Sequence, residues 1–182
     1  MSVIINCYNS AAYLREALES VLSQTFSDWE VIFWDNQSSD ESSVIFNSYT
    51  DKRFHYYSAP EHTVLGQARN LAVEKACGEW VAFLDCDDVW LPEKLLKQVS
   101  IIREESDNLG LVYGFSQVLL EEGNELNTAW VRRMRSNKNK WSRQHLPEGN
   151  IFFKLLKENF VPLVTGVVTR SAYWQVGGIN PE

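Results

Sequence analysis

Apolar and polar positions along the first hundred residues alternate between two rhythms. Residues 2–7 form a short, continuous apolar run, the mark of a strand buried on both faces. Asn9 and Ser10 then supply a helix-capping pair, and Leu14, Ala17, Leu18, Val21 and Leu22 recur at helical spacing. A second strand is predicted over residues 29–34. A short helix capped by Asp40 follows, carrying Val44, Ile45 and Tyr49, and then a third strand over 53–57, closed by Pro60. The spacing next predicts a helix over 66–76, stopped by Gly78 acting as a left-handed residue. A buried strand over 80–84 comes next. Pro92 then opens a helix with Leu95, Leu96, Val99, Ile101 and Ile102 on its apolar side. Strand and helix in this alternation predict an α/β chain with a parallel sheet flanked by helices.

Past about residue 105 the pattern changes. A long strand is predicted over 109–120, a turn over 121–124 and an antiparallel return over 126–131. Residues 132–143 hold six basic side chains with little apolar content. They are expected to form a solvated loop, the other reading being a patch that faces phosphate or lipid. A helix over 150–160, a strand over 163–169 and a last short helix, capped by Ser171 and ended by Gly177-Gly178, complete the chain. A length of 182 residues suits a single domain. Residues 1–104 form its strand–helix half and 105–182 a second half, read as incomplete because the sequence stops directly after a turn.

Composition narrows the function. Twenty-four acidic against 17 basic residues give a net charge of −7, which argues against a dedicated nucleic-acid binder. Cys7, Cys77 and Cys86 lack metal-ligand spacing, are odd in number and sit in or beside apolar runs. They are expected to be small buried residues in a reducing, cytoplasmic compartment. No apolar run approaches the roughly 20 residues that span a bilayer, and the short apolar start lacks the basic leader of a signal peptide.

In open parallel sheets, ligands bind beyond the carboxyl ends of the strands. Three polar clusters fall there: Asn6, Tyr8 and Asn9 after the first strand; residues 35–40 after the second; and Asp85, Asp87 and Asp88 after the fourth. Three carboxylates within four residues repel one another, and a divalent cation relieves that repulsion. An all-oxygen set favours Mg²⁺ or Mn²⁺, which take one or two protein carboxylates and complete their shell with phosphate and water. The competing reading makes Asp87 or Asp88 a cap for the helix at Pro92. Asp35 reads equally well as a turn acceptor for backbone N–H groups or as an acceptor for a base or ribose. Tyr8 is either a core ring or a flat face for a nucleobase, and Arg69 either a surface cation or a fork for phosphate oxygens. Phosphate loops of the Gly-x-Gly-x-x-Gly and Gly-Lys-Ser/Thr kinds are absent.

Four ordered stretches together resemble family 2 glycosyltransferases of the GT-A fold, whose core is a Rossmann-like, mostly parallel sheet. They are Val3-Ile-Ile-Asn-Cys-Tyr-Asn9, Val31-Ile-Phe-Trp-Asp-Asn-Gln-Ser-Ser-Asp40, Gly66-Gln-Ala-Arg-Asn70, and Phe83-Leu-Asp-Cys-Asp-Asp88 with Trp90-Leu-Pro92. A fifth, Gly177-Gly-Ile-Asn-Pro-Glu182, is similar to the family's Gly-Gly turn. The resemblance implies an inverting, metal-dependent transferase that takes a nucleoside-diphosphate sugar, a UDP-sugar by default, and a saccharide or lipid-linked acceptor in polysaccharide synthesis. Nucleic acid is not an expected partner, and peripheral membrane contact is compatible with the reading. The resemblance further implies that Tyr8 stacks on the base with Asn6 nearby, Asp35 accepts from the base ring N–H, Arg69 reaches base or diphosphate, Asp85 lies near ribose and metal, and Asp87 binds the cation. The sequence departs from the family pattern where Asn6 stands in a place often held by Pro and Asn36-Gln37 replaces the frequent Asp-Gly. The family's general base belongs to an acidic pair shortly after the Gly-Gly turn; here it is expected beyond Glu182. The rival readings are a non-catalytic nucleotide-sugar or saccharide-binding module and a nucleotidyltransferase.

Overall fold

A computed structural model describes residues 1–105, 109–116 and 146–181. Its elements are β1 (Ser2–Cys7), α1 (Ala11–Leu22), β2 (Glu30–Asp35), α2 (Ser42–Asn47), β3 (Phe54–Ser58), α3 (Leu65–Glu74), β4 (Trp80–Phe83), α4 (Lys94–Glu104), β5 (Leu111–Val112), α5 (Phe152–Leu155), β6 (Val167–Thr169) and α6 (Arg170–Gln175). The chain divides into two compact units. One comprises Met1–Tyr113 with Leu163–Glu182, the other Gly114–Pro162. Within the second, α5 is a single turn started by the Ile151 carbonyl, which accepts from both Lys154 and Leu155 N–H groups.

The first unit is built on a six-stranded sheet in the order β3-β2-β1-β4-β6-β5. β3, β2, β1 and β4 are mutually parallel, and β6 runs antiparallel to both β4 and β5. The continuous apolar runs are explained by cover on both faces. Val3, Ile5, Val31 and Phe33 pack with Leu14, Leu18 and Val21 of α1, Phe46 of α2 and Leu95 of α4. Ile4, Ile32, Trp34, Val81 and Phe83 point the other way, onto Ala68, Ala72 and Val73 of α3 and Tyr173 of α6. The strand order places β1 between β2 and β4, so their carboxyl ends form one rim.

Several boundaries differ from those the sequence predicts, each for a local reason. Asp40 accepts from Ser42 N–H at 3.0 Å and, across the rim, from Ala11 N–H at 2.9 Å, so it serves the starts of both α2 and α1. Ser10, the predicted cap of α1, makes no side-chain cap bond. Burial works against the Asp40 carboxylate, but the Ser42 hydroxyl and the two N–H groups outweigh it and hold its pKa below the ordinary value. Gly78 does not adopt a left-handed conformation. It is required by close approach, since a Cβ there would lie 2.6 Å from Ser2 Oγ and 2.8 Å from Ser2 N. Pro92 precedes α4 instead of opening it, its carbonyl accepting from Thr25 N–H at 2.9 Å. Thr169, not Ser171, caps α6, accepting from Ala172 N–H.

The predicted strand over 163–169 is a 3-10 turn, Leu163–Thr165, followed by β6. The predicted helix over 150–160 is confined to α5, and of the predicted strand over 109–120 only β5 is formed among the described residues. The return strand over 126–131 and the basic stretch 132–143 lie outside the described residues. Cys7 and Cys86 are buried as expected, but Cys77 is exposed, and all three thiols are free. No helix among the described residues is long and apolar enough to cross a membrane.

Candidate functional site

Beyond the ends of β1 and β2, on the α3 face of the sheet, lies a cavity of about 370 Å³. Its walls include Asn6, Tyr8, Asn36, His62, Thr63 and Leu65. Tyr8 is 53% exposed and offers its ring to solvent, with the His62 ring tilted against it at a centroid distance of 4.4 Å. The turn that presents Tyr8 is fixed by Asn9, which adopts φ 51° and accepts from Ser39 N–H at 2.8 Å. Asparagine tolerates that left-handed conformation better than most residues. Asn6 also lines the cavity, and its side-chain N–H group is buried without a partner among the described residues. Such an orphaned donor is uncommon and fits a group that an incoming acceptor satisfies.

Asn36, which the sequence placed in the rim cluster and marked as a departure from Asp-Gly without giving it a role, is a wall residue. Its amide closes a reciprocal pair with Thr63, donating to the carbonyl at 2.7 Å and accepting from the N–H at 3.1 Å. The His62 Nδ1 lies 2.9 Å from the Asn36 carbonyl, the geometry of an imidazole N–H donating to it. No spacing in the sequence signals His62 or Thr63, because they join the site through contacts with the distant residues Asn36 and Tyr8. Gln37, the next residue, takes φ 71°, a conformation in which glycine is at ease and glutamine is not.

Asp35 is placed differently from Tyr8 and Asn6. It is 3% exposed and does not line the cavity. Its Oδ1 accepts from Ser38 N–H at 2.8 Å and its Oδ2 from the Tyr56 hydroxyl at 2.7 Å. Burial and the bond to Asp35 together push the Tyr56 phenol up to about 12. Asp35 thus anchors the loop that carries Asn36.

The acidic cluster forms a tight turn closed by Asp88 N–H donating to the Asp85 carbonyl at 3.1 Å. Asp87 is exposed. Arg69, facing the rim from α3, donates to Asp85 Oδ1 at 2.6 Å. Burial, then the charges of Asp85 and Asp87, raise the Asp88 carboxyl to about 6. Among the described residues no three ligating side chains converge into a closed metal cage. Asp85 and Asp87 offer at most the one or two carboxylates that Mg²⁺ or Mn²⁺ takes when phosphate oxygens complete its shell.

Asn70, next to Arg69, joins α3 to the Gly177-Gly178 turn. It donates to the Ile179 carbonyl at 2.9 Å and accepts from Ile179 N–H at 2.9 Å and from the Tyr173 hydroxyl. Gly178, at φ 77°, makes room for this clamp, for a Cβ there would lie 2.5 Å from Asn70 Oδ1. Two stretches 109 residues apart in sequence are thereby one unit. At the start of α4, Lys94 donates to Gln98 at 2.8 Å and lies 3.8 Å from the centre of the Trp90 ring, and burial lowers its pKa to about 7.

Residues 2–163 match the family described as glycosyl transferase family 2, and the chain belongs to that family. The architecture is accordingly the expected GT-A fold. Over 178 residues it is 31% identical to the putative teichuronic acid biosynthesis glycosyltransferase TuaG of Bacillus subtilis, an alignment covering 97% of this chain and 64% of that protein. Over 119 residues it is 31% identical to WfgD of Escherichia coli, a UDP-Glc:alpha-D-GlcNAc-diphosphoundecaprenol beta-1,3-glucosyltransferase, covering 65% of this chain and 46% of that protein. The crystal structure of S. aureus TarS 1-349 in complex with UDP-GlcNAc matches with a TM-score of 0.55 and 34% identity, over 57% of this chain and 31% of that one. The mannosyltransferase PcManGT from Pyrobaculum calidifontis, in complex with GDP-Man and Mn2+, matches over 100% of this chain and 47% of its own with a TM-score of 0.69. At 17% identity, that likeness speaks for the fold alone. The chain thus spans under two thirds of these relatives' lengths.

Proposed function

We propose that the chain binds a nucleoside-diphosphate sugar, a UDP-sugar in preference to others, and transfers the sugar with inversion to a saccharide or lipid-linked acceptor in cell-surface polysaccharide synthesis. The observation that carries this reading is the shared rim: an exposed Tyr8 face over a cavity beyond β1 and β2, and the Arg69–Asp85 pair with Asp87 beyond β4. Relatives named for teichuronic acid biosynthesis and for glucosyl transfer from UDP-Glc support it, as does a UDP-GlcNAc complex among its structural neighbours. Free thiols at Cys7 and Cys86 suit a reducing, cytoplasmic setting, at the membrane periphery where the acceptor is lipid-linked.

In this proposal Tyr8 stacks on the base and Asn6 supplies its unpartnered N–H to a base or ribose oxygen. Asp35 holds the adjoining loop, and a bond from the base ring N–H would use a lone pair left on its carboxylate. Arg69 keeps Asp85 oriented toward the ribose and is placed to meet diphosphate oxygens. Asp87, with Asp85, would hold Mg²⁺ or Mn²⁺, which as a Lewis acid stabilises the charge that grows on the departing diphosphate. Inverting transfer also needs a carboxylate that takes the acceptor's proton, and none of the rim residues is assigned that role. Titration with UDP, GDP and dTDP in the presence of Mn²⁺ tests the base assignment. UDP should bind most tightly, and Tyr8→Ala should weaken it by about 1–3 kcal/mol, the worth of one stacked base. Equal affinity for the three nucleotides together with an inert Tyr8→Ala would contradict it.

A further inference from the structure

Cys7 closes β1, and Cys86 sits between Asp85 and Asp87. β1 and β4 are parallel neighbours with Ile4 opposite Phe83, and Leu84 N–H donates to the Ile4 carbonyl at 3.0 Å. Cys7 stands three residues beyond Ile4, and Cys86 three beyond Phe83, in the turn that follows β4. Both thiols belong to the same buried cluster, at 1% and 5% exposure. Cys86 Sγ donates to the Asn6 carbonyl at 3.3 Å, and Cys7 Sγ lies 3.7 Å from Ser38 Oγ. Cys86 Sγ is thereby held against the residue that immediately precedes Cys7.

We propose that Cys7 and Cys86 form a dithiol modification site that a small peroxide converts to a disulfide, disabling the carboxylate turn on either side of Cys86. Peroxide oxidises one thiol to a sulfenic acid and releases a water. The second thiol then attacks the sulfenic sulfur, forming the S–S bond and releasing a second water, so that two thiols are oxidised and one peroxide is reduced. Closing the bond draws the two sulfurs to about 2 Å. Cys86 gives up its bond to the Asn6 carbonyl and moves toward β1, carrying the flanking Asp85 and Asp87 with it. The chemistry of the thiols stands by itself, whereas the consequence for ligand binding rests on the function proposed above.

The test uses the full chain carrying Cys77→Ser, which removes the exposed thiol as a source of cross-links between molecules. Hydrogen peroxide should lower the intact mass by about 2 Da with no thiol left to alkylate after denaturation. UDP affinity in Mn²⁺ should fall by about tenfold or more, a loss of at least about 1.4 kcal/mol, and a dithiol reductant should restore both readouts. Adding Cys86→Ser should abolish the mass change and the peroxide sensitivity. Two alkylatable thiols surviving excess peroxide would overturn the site, and a disulfide formed with unchanged UDP affinity would overturn its effect. If the reduced protein fails to bind UDP, the function proposed above falls, while the mass still decides the disulfide.

Discussion

Gly177 and Gly178 provide a paired perturbation of the clamp between α3 and the turn after α6. Both have positive φ, 85° and 77°, so alanine at either position is strained by about 1 kcal/mol or somewhat more. Their surroundings differ. A Cβ at Gly177 meets nothing within 4 Å, whereas one at Gly178 falls 2.5 Å from Asn70 Oδ1 and 3.0 Å from Asn70 Cγ. Both atoms belong to a short, fully engaged amide, so Asn70 must swing away and forfeit its bonds to Ile179 N–H, the Ile179 carbonyl and the Tyr173 hydroxyl. At roughly 1 kcal/mol for each bond, that adds about 3 kcal/mol. Gly178→Ala should therefore cost about 4 kcal/mol and Gly177→Ala about 1, a gap of about 6–12 °C in Tm for a domain of this size. Urea unfolding of both variants, and of each in an Asn70→Ala background, reads the gap directly. With the clamp already removed, most of the excess cost of Gly178→Ala should disappear, because the contact being lost is shared, leaving only the tight approach of its Cβ to the Tyr173 ring at 3.2 Å. Equal losses for the two glycine variants in the intact background would refute the reasoning.

Three further expectations can be checked together. Asp88, with its folded pKa raised to about 6, binds its proton more readily in the native than in the unfolded state, so its contribution to stability falls as pH rises from about 4 to about 6. Asp88→Asn should accordingly gain stability relative to the parent across that interval and keep the gain above it, as pH-dependent denaturation would show; a constant difference would contradict it. Lys94, lowered to about 7, has the opposite linkage: the unfolded state binds more protons between about 7 and 10.5, so stability rises with pH there. Lys94→Met should be the more stable protein at pH 7, with its advantage shrinking toward pH 10, and a destabilised variant in thermal melts would count against the burial argument. Arg69→Lys keeps the charge but not the fork, and should weaken UDP binding by about 1 kcal/mol or more in calorimetry; an unchanged affinity would remove Arg69 from the site.

The parallel core was legible because its strands are apolar on both faces and its helices on one stripe, patterns that burial itself imposes. The rim positions followed from strand ends, and Tyr8, Arg69 and Asp85 emerge there. What escaped the sequence depended on contacts between distant segments. Asp40 reaches back to α1 because β1 and β2 are neighbours, and Gly78 is needed because the chain start passes within van der Waals range. Asn70 was visible as part of Ala-Arg-Asn, yet its role appears only when the turn 109 residues later docks on it. His62 and Thr63 join the cavity wall through Asn36, a partnership that no local spacing encodes. Asp35 was equally readable as turn anchor or ligand acceptor, and the folded chain shows it bonded to Ser38 and Tyr56.

The central claim is that the carboxylates after β4 share a divalent cation with a donor's diphosphate. Isothermal titration of UDP into the parent protein and into Asp87→Ala, each with Mn²⁺ and with chelator, tests it most directly. Mn²⁺ should tighten UDP binding to the parent by about tenfold or more, and Asp87→Ala should abolish that gain while binding UDP in chelator as the parent does. Cation-independent binding, or a Mn²⁺ effect that survives in Asp87→Ala, would contradict the account.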